Sequence, residues 1–190
     1  MVGRFLRLEG CFESSPVVRI GEYAYFVNPI SDGVPHMDPD LLEEVVEGLI
    51  GISEEEFDMI LAPEAMGIPL ATGVSLRSGI PFSVIRKRQY GLPGEINVDQ
   101  RTGYSKSSMF INGLSPGDRV MIVDDVVSTG GTLRSIVDTL VSNGITVSCV
   151  SVVFDKSDDI DAIGRSLGVP LRALIRVAVL DGRPVVIRRC

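Results

Sequence analysis

Short apolar runs and helically spaced apolar positions alternate along most of the chain. Apolar runs typical of buried strands occur at residues 58–62, 81–85, 120–123, 146–154 and 171–177. Between them, apolar residues recur at spacings of three and four, which predicts helices over residues 38–49, 67–77, 131–142 and 158–167. This alternation predicts an α/β protein with a mostly parallel central sheet and helices on both faces.

The two ends of the chain and one internal segment depart from this pattern. A short strand is predicted at residues 23–27, and a turn at residues 181–182 precedes a final strand that forms a hairpin with the one before it. Residues 86–108 show no sustained period, and a short strand is predicted after them at residues 109–111. An irregular connection of this length is usually a functional flap or disordered.

The most informative stretch is residues 120–132. A buried strand leads into Asp124 and Asp125, and a loop of small polar residues then leads into a helix. Ligands of open α/β sheets bind at the carboxyl ends of the strands, and glycines let backbone amides approach an anion at a helix N-terminus. The order of these parts therefore predicts a phosphate in the loop and two carboxylates beside it, able to accept hydrogen bonds from a ribose diol or to hold water around magnesium.

Each part also has an ordinary structural explanation. A Gly-Gly pair after a strand is most often a turn, and an acid pair there is often a helix cap with a solvated neighbour. The complete string favours a phosphate site over these separate explanations. No Gly-Lys-Ser/Thr follows, so it is not a Walker A loop, and it lacks the spacing of dinucleotide-binding glycines.

Composition excludes several classes of protein. The 190 residues, 45% of them apolar, are enough for one substantial core, so we expect a single domain over residues 1–190. A net charge of −7 argues against a general nucleic-acid binder, and no apolar run approaches the ~20 residues that span a bilayer. Cysteines without metal spacing or an even number predict a reducing, cytoplasmic setting, and the single histidine, His36, leaves little for histidine-based metal sites.

The string from Val120 to Thr132 resembles the signature of the type I phosphoribosyltransferases. The resemblance implies their fold, a central mostly parallel sheet with helices on both faces, a small hood that includes residues 1–35, and a flexible flap at about residues 88–107. It makes Asp124 and Asp125 the catalytic residues that contact the ribose hydroxyls. The residues that it implies for the 5-phosphate are Ser128, Thr129, Gly130, Gly131 and Thr132.

A second loop lies at the same sheet edge, between the strand at 58–62 and the next helix. Taken alone, it is more often an ordinary strand-to-helix connection. In the resembled family the loop at this point cradles pyrophosphate, and an Arg-Lys pair followed by Leu-Pro-Gly is typical of the adenine type, as in Arg86-Lys87 and residues 92–94 here. The residues implied for pyrophosphate are Glu64, Ala65, Met66, Gly67, Arg86 and Lys87.

The far end of the irregular segment carries Tyr104, Ser105 and Lys106. Exposed loop polarity explains these residues about as well as a function does. In the resembled family the flap closes over the reacting centre and contacts pyrophosphate. Closure excludes the water that would capture a cationic ribosyl group.

Further segments resemble the archaeal hypoxanthine phosphoribosyltransferases, namely residues 23–35, 64–69, 86–92 and 100–106. One departure concerns Ser128, because the familiar hypoxanthine-guanine enzymes place an Asp there that faces the purine N7, so this chain must handle the proton of the base differently. The base-binding candidates are Val126 and Phe26. Phe26 offers an aromatic face, although a core Phe is at least as common.

The resemblance implies transfer of a 5-phosphoribosyl group from phosphoribosyl pyrophosphate (PRPP) to N9 of hypoxanthine, and also of guanine. Magnesium would be held mainly by PRPP, with Asp124 contacting it through water and no direct protein ligand. The expected partners are PRPP, the purine base and a second copy in a homodimer, with no nucleic acid and no membrane. The alternatives are an adenine or xanthine phosphoribosyltransferase, and a regulator that senses PRPP with the same fold.

Overall fold

The computed structural model describes residues 5–21, 23–102 and 105–187, with the side chains of residues 20, 23, 100–102 and 105–107 left aside. The elements, in chain order, are α1 (Leu6–Glu13), β1 (Val17–Ile20), β2 (Tyr23–Phe26), α2 (Pro29–Asp32), α3 (Pro39–Gly51), β3 (Met59–Pro63), α4 (Gly67–Ser78), β4 (Phe82–Ile85), β5 (Ile96–Thr102), β6 (Ser105–Ile111), β7 (Arg119–Val127), α5 (Gly131–Ser142), β8 (Thr146–Asp155), α6 (Ile160–Leu167), β9 (Leu171–Leu180) and β10 (Arg183–Ile187).

Six strands form the central sheet in the order β10-β9-β8-β7-β3-β4. The pairs from β9 through β4 are parallel, and β10 pairs with β9 antiparallel as the predicted hairpin. Strand β7 lies between β3 and β8, so the loops that follow β3 and β7 leave the same edge side by side. The sheet is therefore the predicted α/β arrangement, with the two candidate anion loops as neighbours.

Helices cover both faces of the sheet and bury a core on each. One core packs α3, α4 and the N-terminal segment (residues 5–35) against the sheet, and the other packs α5, α6 and the β5-β6 hairpin against the opposite face. In α5 the four predicted apolar positions Leu133, Ile136, Val137 and Leu140 are all buried. Burial of each such side chain stabilises the folded state by about 1.5–3 kcal/mol. This holds α5 and the loop before it against the sheet.

An aspartate cap and a proline stabilise the start of α3. The carboxylate of Asp38 accepts a hydrogen bond from the Leu41 N–H at 3.0 Å, and Pro39 occupies the first turn. An Asp cap satisfies a helix N–H that would otherwise lack a partner, and proline fixes the backbone angle that the first turn needs. None of the helices in the described ranges is long and apolar enough to cross a membrane.

The segment at 86–108 is more regular than its sequence indicated. Strands β5 and β6 form an antiparallel hairpin that pairs from Ile96↔Ile111 to Thr102↔Ser105. At its base Ile96, Val98, Met109 and Ile111 are buried in the second core. The prediction of no period was wrong for residues 96–102 and 105–108, because Asn and Asp have low strand propensity and masked the alternation, whereas the strand predicted at residues 109–111 is the end of β6.

The sequence pattern also missed α1, β1 and α2 in the N-terminal segment. There, the ring of Phe26 packs 4.9 Å from Phe12 and 5.7 Å from Phe154, measured between centroids, which anchors β2 to the end of β8. Asn28 is fully buried just before α2. Its side chain accepts from Ile30 N–H and donates to Ser15 Oγ at 2.8 Å.

We expect Asn28→Ala to lower the free energy of unfolding by about 2 kcal/mol, because the Ile30 N–H loses its acceptor and the buried Ser15 hydroxyl loses a donor. Urea denaturation measures this directly. Ser142→Ala removes only an exposed hydrogen bond to the Asp138 carbonyl and serves as the control. Equal stability of the two variants would contradict the importance of this buried network for the N-terminal segment.

Candidate active site

The site is built around two acids near the end of β7. Asp124 and Asp125 are half-buried, and Asp124 Oδ1 accepts the N–H of Asp125 at 3.0 Å. Burial, together with the neighbouring charge of Asp125, raises the pKa of Asp124 well above 3.8. Burial also raises the pKa of Asp125. Among the described residues no cation pairs with either carboxylate, so the acid pair (Asp124 and Asp125) is suited to receive hydroxyl donors or a hydrated cation.

The loop of residues 128–132 connects the acid pair to α5. Ser128, Thr129, Gly131 and Thr132 are exposed, and α5 begins at Gly131. Backbone N–H groups of a helix's first turn lack partners within the helix, and the helix dipole adds positive potential there. The loop thus presents hydroxyl and amide donors at the carboxyl edge of the sheet, as the sequence predicted.

Gly130 fixes the shape of this loop. Its φ is +73°, in the left-handed region that favours glycine. A Cβ built at this position would lie 2.7 Å from Ile163 Cγ2 on α6. A side chain at this position would therefore force the loop or α6 to shift.

The loop of residues 64–67 leaves β3 beside the acid pair. The peptide bond between Glu64 and Ala65 is cis, and α4 begins at Gly67. A Cβ on Gly67 would lie 3.0 Å from the carbonyl oxygen of Val123, the residue just before the acids. Glycine thus permits a close approach of the two loops.

Glu64 connects this loop to the basic cluster at the end of β4. Its Oε2 accepts from Arg86 Nη1 at 3.0 Å, and its Oε1 accepts from the Lys87 backbone N–H at 2.9 Å. These hydrogen bonds lower the pKa of Glu64, the one from the Lys87 amide most strongly. Glu64 therefore orients the basic residues, while the Lys87 side chain is exposed and available to an anion.

The N-terminal segment covers the other side of the acid pair. Helix α2 packs against β7, and a Cβ on Gly33 at its end would lie 3.8 Å from Met66 of the 64–67 loop. The Tyr25 hydroxyl donates to Asp32 Oδ1 at 2.8 Å. Burial, this hydrogen bond and the charges of Asp32 and Asp125 raise the pKa of Tyr25 to about 12. The acid pair, both loops and the Tyr25-Asp32 pair therefore lie at the same edge of the sheet, and the space between them is called the cleft below.

The two predicted base-binding residues occupy different environments. Phe26 is 4% exposed within the aromatic cluster, with the Lys156 ammonium 5.6 Å from its ring centroid. Val126 is half-buried against the first core, opposite Phe154 in the sheet register. A role in binding the base stays a prediction for both.

The three predicted flap residues are described to different extents. Tyr104 lies outside the described residues. Ser105 and Lys106 belong to β6, but their side chains are not among those described. Their contact with pyrophosphate stays a prediction.

Sequence reasoning missed Tyr25, Asp32 and Lys156. Asp32 belongs to a helix of four residues, too short for a periodic signal, and Lys156 follows β8 without any motif. One local pattern could have indicated Asp32. It lies four residues after the capping residue Asn28, a spacing at which its carboxylate can accept the N–H of the capping residue.

Comparison with known proteins agrees with this geometry. Residues 39–165 match the family model described as a phosphoribosyl transferase domain. The hypoxanthine/guanine phosphoribosyltransferase of Methanohalophilus mahii is 47% identical over 174 residues, covering 92% of this chain and 91% of that protein. That of Methanothermobacter thermautotrophicus is 48% identical over 177 residues, covering 93% of this chain and 92% of that protein.

Solved structures share the fold at lower identity. The adenine phosphoribosyltransferase of Thermoanaerobacter pseudethanolicus has a TM-score of 0.71 and 23% identity, over 91% of this chain and 99% of that one. The enzyme of Saccharomyces cerevisiae, complexed with adenine and an iminoaltritol bisphosphate, has a TM-score of 0.70 and 21% identity, over 90% and 97% of the two chains. The family match over residues 39–165 and the 47–48% identity to two archaeal proteins establish that this chain belongs to the phosphoribosyltransferase family.

Proposed function

We propose that this protein is a purine salvage enzyme that transfers the 5-phosphoribosyl group of PRPP to N9 of hypoxanthine or guanine, giving IMP or GMP and pyrophosphate. The observation that carries the proposal is the acid pair between two neighbouring anion loops, in a chain whose relatives at 47–48% identity are named hypoxanthine/guanine phosphoribosyltransferases. The adenine phosphoribosyltransferases among the solved structures are under 25% identical and support the fold alone.

The chain's own residues bind and orient the substrate. The 128–132 loop binds the 5-phosphate through its hydroxyls and the amides at the start of α5. Asp124 and Asp125 accept hydrogen bonds from the ribose hydroxyls and stabilise positive charge that develops on the ribose as pyrophosphate departs. The 64–67 loop, with Arg86 and Lys87, receives the pyrophosphate, and holding both reactants in one cleft lowers the entropic barrier.

The donor set fits magnesium carried by the substrate. Mg²⁺ prefers oxygen ligands and usually keeps several waters while binding one or two carboxylates and phosphates. The described residues contain no group of three or more His, Cys, Asp or Glu placed to hold a metal, whereas Asp124 is half-buried beside the cleft. When bound, the ion neutralises charge on the pyrophosphate, and Asp124 would contact it through water.

A panel of bases tests this proposal. Purified protein with PRPP and magnesium is assayed for pyrophosphate release with hypoxanthine, guanine, adenine, xanthine, uracil and orotate. Release with hypoxanthine or guanine supports salvage of 6-oxopurines, and release only with adenine or xanthine assigns a different base. No release with any base, together with measurable PRPP binding, favours a PRPP-sensing regulator.

We expect Lys87→Ala to raise the KM for PRPP about tenfold while kcat changes less, since loss of one exposed charge contact to an anion removes about 1.4 kcal/mol of binding. Steady-state kinetics at two salt concentrations measure the effect, which should shrink at high salt. Arg183→Ala, an exposed position on β10, is the control. An unchanged KM in Lys87→Ala would remove Lys87 from the pyrophosphate site.

The proposal also includes a cytoplasmic homodimer. It rests on the resemblance to a family whose members are usually dimeric. Light scattering measures the oligomer directly, and a monomer at assay concentrations would contradict this part of the proposal alone.

A further inference from the structure

The carboxylate of Asp32 is held in one place by three hydrogen bonds. Its Oδ2 accepts from the Asn28 N–H at 2.9 Å and from Ser31 Oγ at 2.7 Å, and its Oδ1 accepts from the Tyr25 hydroxyl at 2.8 Å. An ionised carboxylate has about four acceptor positions. One position therefore remains, on the oxygen next to the Tyr25 hydroxyl.

Tyr25 presents this hydroxyl to the cleft. Its side chain is 38% exposed, and its ring stacks on Phe26 with 5.9 Å between centroids and 8° between planes. Burial, the bond to Asp32 and the charges of Asp32 and Asp125 raise its pKa to about 12, so the hydroxyl stays protonated and donates to Asp32. Its acceptor Asp32 belongs to α2, which packs against β7, the strand that carries the acid pair.

The position of α2 places the Tyr25-Asp32 pair beside the reacting centre. Helix α2 packs on β7, which carries the acid pair, and its Gly33 end reaches Met66 in the 64–67 loop. Under the proposed function the ribose lies on the acid pair and the pyrophosphate on that loop. A base attacks the ribose from the side opposite the leaving pyrophosphate. In this arrangement it would lie next to the N-terminal segment.

The proposed reaction requires a proton acceptor for the base. A neutral purine carries one N–H on its imidazole ring, and the nucleotide product carries none. The 128–132 loop that follows the acid pair contains no carboxylate. Asp32 is a carboxylate on the hood side of the same cleft.

We propose that Tyr25 and Asp32 form a proton relay that removes the imidazole proton of the purine, an inference that rests on the proposed function. The base donates its N7–H to Tyr25 Oη while the Tyr25 hydroxyl proton passes to Asp32 Oδ1. The N9 lone pair forms the bond to C1′, and the C1′–O bond breaks with its electron pair leaving on pyrophosphate. Asp32 then releases the proton to water, so the step is balanced without a further reactant.

Among the described residues, three titratable groups lie near Asp32 or near the Phe26 ring on which Tyr25 stacks. Tyr25 on β2 donates to Asp32, burial and the charge of Asp32 both raise the pKa of Asp125 on β7, and the Lys156 ammonium lies 5.6 Å from the ring centroid of Phe26. The negative charge of Asp125 opposes ionisation of Tyr25, which keeps the relay in its donating form. Asp32 is thus the final proton acceptor, and Tyr25 passes the proton from the base to it.

The test compares Asp32→Asn and Tyr25→Phe with wild type in kcat for hypoxanthine across pH. General-base removal typically lowers turnover about 10²–10⁴-fold, so we expect Asp32→Asn to lose at least about 10²-fold near neutral pH. The loss should shrink toward alkaline pH, where the free purine is itself an anion and needs no acceptor. Tyr25→Phe should show the same recovery with a smaller loss.

Matched variants separate this relay from a structural role. Ser31→Ala removes another hydrogen bond from the same carboxylate but leaves the relay intact, so it should keep the wild-type pH profile. Asp161→Asn replaces an exposed acid in the first turn of α6 and controls for the charge change. A merely structural role predicts equal, pH-independent losses in Tyr25→Phe and Ser31→Ala.

The outcomes distinguish the two proposals. If wild type forms no nucleotide from any base, the proposed function fails. If wild type forms IMP while Asp32→Asn keeps its kcat near neutral pH, or loses it equally at every pH, only the relay is overturned. A variant that is unfolded by circular dichroism is replaced by Asp32→Glu, which keeps the carboxylate and should retain the wild-type dependence on pH.

Discussion

Asp125→Asn is expected to lower kcat for IMP formation by about 10²–10³-fold while the fold stays intact, the range seen when one preorganised electrostatic contact to a transition state is removed. Asn keeps the shape of the side chain but removes the negative charge that stabilises the developing cationic ribose. Steady-state kinetics at saturating PRPP and base measure the loss. Asp138→Asn, an exposed acid on α5, controls for the change in net charge.

The same variant has an opposite effect on stability. Because burial raises the folded pKa of Asp125 above 3.8, the folded state retains its proton at a pH where the unfolded chain has lost it. Stability therefore falls as pH rises through the folded pKa. Without ligand near neutral pH, Asp125→Asn should melt roughly 2–4 °C above wild type, the shift that about 1 kcal/mol gives a domain of this size.

The same argument predicts how the higher melting temperature of Asp125→Asn depends on pH. Well below pH 3.8 the side chain at position 125 is uncharged in the folded and unfolded states of both proteins, so the difference in melting temperature should vanish. Wild-type turnover in Asp125→Asn would remove the catalytic assignment. A melting temperature below that of wild type at neutral pH would contradict the claim that the half-buried charge of Asp125 destabilises the folded state.

Gly130→Ala is expected to raise the KM for PRPP by at least about tenfold, because a left-handed backbone costs an L-residue about 1–2 kcal/mol and the added Cβ meets Ile163 on α6. The loop must then shift away from α6, and its amides leave the position in which they bind the 5-phosphate. Calorimetric binding of PRPP and steady-state kinetics both report the change.

Gly79→Ala is the matched control for this substitution. Gly79 has a φ of +75° at the end of α4, and a Cβ there would meet nothing within 4 Å. It should lose comparable backbone stability without affecting PRPP binding. Equal PRPP affinity in the two variants would contradict the assignment of the 128–132 loop to the phosphate.

The sequence predicted the parts of the site that depend on periodicity and local order. Strand β7, the acid pair and helix α5 follow one another directly, so apolar spacing located them all, and the buried positions of α5 agree with the prediction. The parallel order also predicted that loops 64–67 and 128–132 lie at one edge. These relations hold because carboxyl ends of parallel strands share that edge.

The N-terminal side of the cleft was less accessible to sequence reasoning. Tyr25 and Phe26 are adjacent aromatic residues of one short strand, so the sequence does not decide which of them is buried. Phe26 was the predicted aromatic face, yet it is 4% exposed while Tyr25 is 38% exposed. Tertiary packing with Phe12 and Phe154 decides this difference, and no local pattern encodes it.

The measurement that tests the central claim most directly is the identity of the product formed from hypoxanthine, PRPP and magnesium, determined by chromatography and mass spectrometry. Wild type should form IMP and an equal amount of pyrophosphate, and Asp125→Asn from a parallel preparation should form almost none. Absence of any nucleotide from folded wild-type protein that binds PRPP would contradict the account.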